Sequence, residues 1–128
     1  MRILIVPTSV DGYLQNSASE RFRCDWLLPY LEHGKKYDGA DRHLISSGYY
    51  DVVIFQKAYL QDWVQRMADE TKGLKIFDIT DPEHLFRPEP LKKMLSKMDI
   101  IVASTETLAK DMRNISDKPV YVIPDRHE

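Results

Sequence analysis

Short apolar runs alternate along this chain with longer segments that carry apolar residues at helical spacing. The runs, rich in β-branched residues, occupy residues 3–6, 51–56, 74–79, 99–103 and 120–123. Runs of this kind are typical of central strands in a parallel sheet, where both faces are covered. We place one further, short edge strand between Lys35 and Ile45, in a polar stretch.

Three segments between the later strands predict helices. One apolar helix face is formed by Leu60, Trp63, Val64, Met67 and Ala68, and Gly73 stands where a C-terminal cap belongs. Residues 87–90 predict an extended lead into a short helix, whose apolar face carries Leu91, Met94, Leu95 and Met98. Ser104 and Thr105 can cap a third helix that runs to about Asn114.

The first helix is predicted from its start signal. Residues 17–20 read Ser-Ala-Ser-Glu, a capping box in which Ser17 caps the Glu20 amide. Phe22, Trp26, Leu27 and Leu31 follow at helical spacing, and Pro29 should kink or shorten the helix. Strands that alternate with helices predict an α/β fold: a Rossmann-like three-layer domain with a mostly parallel sheet of about six strands and helices on both faces.

Size and charge restrict the class of protein. A chain of 128 residues is one domain, and its formal net charge of −2 favours neither nucleic acid nor an acidic membrane as partner. No stretch approaches the roughly 20 apolar residues of a membrane span. The single cysteine, Cys24, fits a small buried residue in a reducing compartment, so we expect a cytoplasmic location.

In an open parallel sheet, ligands bind outside the carboxyl ends of the strands. The candidate ligand-binding residues are Ser17, Ser19, Arg21, Gln56, Asp81, Ser104 and Thr105. Ser17 and Ser19, with Arg21 and Arg23 close behind, could hold an anion at a helix N-terminus. The alternative is that Ser17 serves only as a cap and the arginines are solvated.

A group of carboxylates and one histidine lies at and just after the end of the strand at residues 74–79. Asp78, Asp81, Glu83 and His84 could be acid–base groups or metal ligands, or could initiate a turn and cap loop amides. No metal-binding motif is present, so we predict no metal. Residues 7–19 contain one glycine, Gly12, which disfavours a dinucleotide cofactor. No catalytic residue is assigned.

Four segments, in order, resemble the N-terminal domain of GT-B glycosyltransferases of the "glycosyl transferase group 1" type. Residues 17–23 (SASERFR) resemble the Ser- and Arg-containing start of its first helix, and residues 51–57 (DVVIFQK) resemble its D-V-V-x-x-Q-[KR] strand. Residues 77–81 (FDITD) look like its Y-D-x-D-D strand end. The fourth segment consists of residues 99–108 (DIIVASTETL) followed by residues 118–124 (KPVYVIP), and it resembles A-D-x-V-x-x-S-T-x-x-L followed by the K-P-V-x-V-I-P-N hinge.

The resemblance implies transfer of a sugar from a nucleotide-sugar donor, without a metal or other cofactor. It makes residues 1–128 the acceptor-side half. The C-terminal donor domain is absent from these residues, and a longer chain or a separate subunit would supply it. We expect such a half to be inactive alone. The alternative is a stand-alone Rossmann-like module that binds a small ligand or a protein without catalysis, and a homodimer is a further open possibility.

Overall fold

A computed structural model describes residues 1–11, 21–25, 27–39 and 42–124, without the side chains of Asp11, Arg21 and Phe22. Six strands form one sheet: β1 (Ile3–Val6), β2 (Gly34–Lys36), β3 (Val52–Gln56), β4 (Leu74–Ile79), β5 (Ile100–Ala103) and β6 (Val120–Val122). Their order is β2-β1-β3-β4-β5-β6, and every neighbouring pair is parallel. The predicted three-layer α/β fold is confirmed.

In the described residues, four α-helices follow the strands: α1 (Arg42–Ser47), α2 (Asp62–Glu70), α3 (Pro88–Leu95) and α4 (Glu106–Ile115). Their buried side chains, such as Met67, Met94 and Met112, form one core with alternate strand residues, among them Phe55 and Phe77. We call this side of the sheet the helical face. Because β3, β4, β5 and β6 step in one direction across the sheet, crossovers of one hand place α2, α3 and α4 together on it.

The opposite side of the sheet, which we call the second face, meets the connection from β1 to β2. That connection steps the other way and contains single helical turns at Arg21–Asp25 and Leu28–Tyr30. Ile5 and Cys24 are fully buried there, outside the main core. These turns form the third layer, and they cover the part of the second face around β1.

The helix predicted through Leu31 is different in the structure. Arg21–Asp25 is a π-helical turn and Leu28–Tyr30 a 3-10 turn that contains Pro29, and Leu31 is already extended. Pro29 has no backbone N–H to donate within a helix that continues through it, so a regular α-helix does not run to Leu31, as the position of Pro29 predicted. The capping box at residues 17–20 and Trp26 lie outside the described residues.

Two other local predictions were wrong. Helix α2 ends at Glu70 with Thr71 as its cap, so Gly73 is not the cap. A Cβ at Gly73 would lie 2.5 Å from the Tyr50 carbonyl oxygen and 2.7 Å from that of Asp51, so this position has room only for glycine. Helix α3 begins at Pro88, because proline suits the first turn of a helix, where its missing N–H has no partner to lose.

Candidate functional site

The carboxyl edge of the sheet has its topological switch point between β1 and β3. From β1 the chain crosses to β2 on one side, whereas from β3 it crosses to β4 on the other. The two connections leave a crevice between the ends of these strands, where open α/β sheets bind ligands. The sequence analysis pointed to this edge, and the order of the strands in the sheet identifies those that border the crevice.

Gln56 joins the two sides of this crevice. Its Oε1 accepts a hydrogen bond of 3.0 Å from the Thr8 backbone N–H, and the Thr8 hydroxyl donates to the Lys57 carbonyl oxygen at 3.3 Å. Gln56 is fully buried, and within the described part of the chain its Nε2 has no hydrogen-bond partner. A buried amide without a partner is costly, so this donor is a candidate contact for a polar group that enters the crevice.

Lys57 follows Gln56 in a left-handed backbone conformation, with φ of 51°. Its backbone N–H donates to the Asp78 carbonyl oxygen at 2.8 Å, and its ammonium group forms an ion pair with Asp81. A non-glycine residue in this conformation costs about 1 kcal/mol or more and is held by its surroundings. Asp81, a predicted ligand contact, is therefore engaged by a neighbouring lysine, although its own side chain is 53% exposed.

A second ion pair lies between the layers. The Arg23 Nε donates to both carboxylate oxygens of Asp78, at 2.9 and 3.2 Å, and both side chains are buried. The same guanidinium donates through Nη1 to the Ile123 carbonyl oxygen. Arg23 was predicted as a possible anion contact, but its fork-shaped donor set is used to fix the β1–β2 connection to the ends of β4 and β6.

The remaining predicted residues have local roles or fall outside the described chain. The Ser104 hydroxyl donates to the Thr80 carbonyl oxygen at 3.4 Å, and Thr105 caps α4 by accepting from the Leu108 N–H at 3.1 Å. Ser17, Ser19 and the Arg21 side chain lie outside what the structure describes. Gln56, Asp81, Ser104 and Thr105 thus share one edge of the sheet but do not converge on one point.

A cavity of about 640 Å³ opens beside the crevice, at the ends of β1 and β2. It is lined by Pro7, Ser9, Val10, Lys36, Tyr37, Asp38, Gly39 and Trp63. The Tyr37 and Trp63 rings lie with their centroids 6.1 Å apart and also pack against the main core. The volume is within the range of sites for small organic ligands, and the lining combines two aromatic rings with polar and charged side chains.

Tyr37 and Trp63 escaped prediction for two reasons. Trp63 fits the apolar face of α2, so its spacing indicated only core, and Tyr37 lies in the polar stretch whose structure was least readable. The available signal was the rule for strand ends, which applies to the residues after β1, among them Pro7, Ser9 and Val10 of the lining. The rule did not extend to β2, since a strand of Gly-Lys-Lys has no apolar pattern.

Two carboxylates of the predicted acid–base cluster have cationic partners, and its histidine lies beside a carboxylate from outside the cluster. Asp78 pairs with Arg23 and Asp81 with Lys57, and His84 Nε2 lies 3.2 Å from Asp111 Oδ2. Among the described residues no group of three or more histidines, cysteines and carboxylates could hold a metal ion. The contacts favour the structural alternative for Asp78 and Asp81.

None of the described helices is long and apolar enough to cross a membrane. No known protein family and no curated protein matches the sequence.

Proposed function

We propose that this chain is the acceptor-side domain of a nucleotide-sugar-dependent glycosyltransferase, incomplete as an enzyme without a donor-binding domain. The observation that carries the proposal is the cavity with Tyr37 and Trp63 beside the switch-point crevice. The all-parallel sheet and the four sequence segments that resemble GT-B N-terminal domains support it further.

The lining of the cavity suits a polyhydroxylated acceptor. An indole ring presents an apolar face to the C–H groups of a sugar ring, while hydroxyl and charged groups at the rim bond to its hydroxyls. Ser9, Lys36 and Asp38 supply such groups here. The Lys36 ammonium also donates to Asp25 at 2.9 Å, which positions it on this rim. We assign no nucleophile and no base, because the reaction needs the donor domain.

The test is a titration followed by ¹⁵N–¹H NMR, with simple glycosides and nucleotide sugars added separately and then together. Glycosides are expected to shift the Trp63 indole N–H resonance, which the Trp63→Leu variant identifies. That variant should bind glycosides at least tenfold more weakly. Phe86→Leu is the matched control, since Phe86 is 73% exposed and does not line the cavity.

Two results would count against an acceptor site. If nucleotide sugars shift the Trp63 indole resonance and glycosides do not, the cavity is a donor site. If Trp63→Leu leaves glycoside binding unchanged, the acceptor site lies elsewhere.

A second candidate function is a stand-alone module that binds a small ligand without catalysis. The pairing of Asp78 and Asp81 with cationic side chains favours it, because neither carboxylate is then available as a general base. In this case a small ligand should bind the cavity in the complete absence of nucleotide sugars, and addition of any donor-binding subunit should produce no transfer.

A further inference from the structure

The second face of the sheet is covered unevenly. Over β4, β5 and β6 it carries Leu74, Ile76, Ile100, Val102, Tyr121 and, by continued alternation, Ile123. We call these six residues the open face. Tyr121, Ile123 and Leu74 expose 58%, 54% and 40% of their surface, and the other three are half-buried.

Topology explains why nothing in the described chain covers the open face. The helices α2, α3 and α4 lie on the helical face, because each belongs to a crossover that steps in the same direction. The β1–β2 connection steps the other way, and in its described part Arg23 attaches it to the carboxyl ends of β4 and β6. All-parallel sheets are found almost only with both faces covered, and the described residues supply no second layer over the open face.

The composition of the open face is that of the centre of a protein–protein interface. It has five aliphatic side chains and one large aromatic, Tyr121, and among the described residues of its rows the only charged side chain is Asp78, which is buried against Arg23. Depletion of charge with enrichment of aromatic residues marks interface centres. A flat surface without charge can also meet its own copy across a two-fold axis without repulsion.

The exposed area matches what a dimer needs. Side chains of these sizes and exposures present about 450 Å² of mainly apolar surface. A stable interface of standard size buries about 800 Å² per partner, with an apolar share of roughly 60%. The open face therefore equals the apolar part of one standard interface, and the net charge of −2 opposes association only weakly.

We infer that the open face docks a second copy of this chain, so that the protein is a homodimer with the two sheets face to face. Dimerisation does not depend on ligand binding, because Trp63 of the cavity belongs to a helix on the opposite side of the sheet.

Sedimentation velocity from about 1 to 200 μM tests the dimer. The chain should approach twice its mass of 15.0 kDa within this range. Tyr121→Glu replaces the most exposed side chain of the open face by a charge and should weaken dimerisation at least a hundredfold. Phe86→Glu, which charges an exposed apolar residue outside the open face, should leave the dimer unchanged. A chain that stays monomeric at 200 μM, or a dimer that survives Tyr121→Glu, would overturn the assignment.

A second measurement covers the case in which Tyr121→Glu does not fold. Tyr121→Cys adds one thiol to a chain whose own Cys24 is fully buried. Thiol labelling should slow at least tenfold as the protein concentration rises through the dimerisation range, whereas Phe86→Cys should label at a constant rate. Equal, concentration-independent rates at both positions would show that another molecule or segment, or none, covers the open face.

Discussion

The Arg23–Asp78 ion pair should be among the strongest single determinants of stability in this domain. Removing one partner of a buried pair leaves an uncompensated charge and costs about 3–5 kcal/mol. Both side chains are more than nine-tenths buried, and the carboxylate receives a two-pronged guanidinium contact. We therefore expect Arg23→Met and Asp78→Leu each to lower the free energy of unfolding by about 3–5 kcal/mol.

Replacing both partners should lower the free energy of unfolding much less, because no charge is then left buried. The double variant should lose only about 1 kcal/mol, mainly from the Arg23 hydrogen bond to the Ile123 carbonyl, whose residue is half exposed to water. Because each single variant should lose at least about 3 kcal/mol and the double variant only about 1 kcal/mol, the coupling free energy between the two positions should be about 5 kcal/mol or more, above the range usual for interacting residues.

Urea denaturation followed by circular dichroism measures these differences. With a slope of about 1.5–2 kcal/mol per M, a loss of 3 kcal/mol moves the midpoint by about 1.5–2 M. Glu70→Gln is the matched control, because Glu70 pairs with Arg42 at the surface and its neutralisation should change stability by less than about 0.5 kcal/mol. Single-variant losses below 1 kcal/mol, or additive effects in the double variant, would refute the reasoning.

Two further predictions concern backbone positions. Gly73→Ala should cost about 2–3 kcal/mol, because its Cβ would meet the carbonyl oxygens of Tyr50 and Asp51, and a urea midpoint unchanged from the parent would contradict that close approach. Thr105→Ala should cost about 1 kcal/mol through loss of the α4 cap, with Thr105→Ser as the control that keeps a hydroxyl; equal losses in both variants would exclude capping as the cause.

Local patterns predicted those parts of the fold that depend on local interactions. Apolar runs predicted the bounds of β4 and the positions of β1, β3, β5 and β6, because a strand that is buried on both faces needs a continuous apolar run. Helix α1 was missed: it is six residues long and buries only Ile45 among its described residues, which is too little for a periodic signal.

The remaining features depend on residues distant in sequence. The position of Gly73 near a helix end predicted a cap. In the structure, glycine is required there because the backbone of Tyr50 and Asp51, more than 20 positions earlier, leaves no room for a Cβ. Arg23 and Asp78 are separated by 55 positions. At the candidate site, the strand-end rule found Gln56 and Asp81, but the cavity needs the order of strands in the sheet, which no local pattern contains.

The order of the sheet also bears on how the chain is built. Both neighbours of β1 come later in the sequence, and from β3 onward every strand is added to the same growing edge. A chain that emerges from the ribosome N-terminus first can therefore complete the sheet one strand at a time, without opening any pair already made. Each new strand covers the bare edge left by its predecessor, so unpaired backbone is exposed only briefly to other chains. The order of synthesis is thus a possible order of folding.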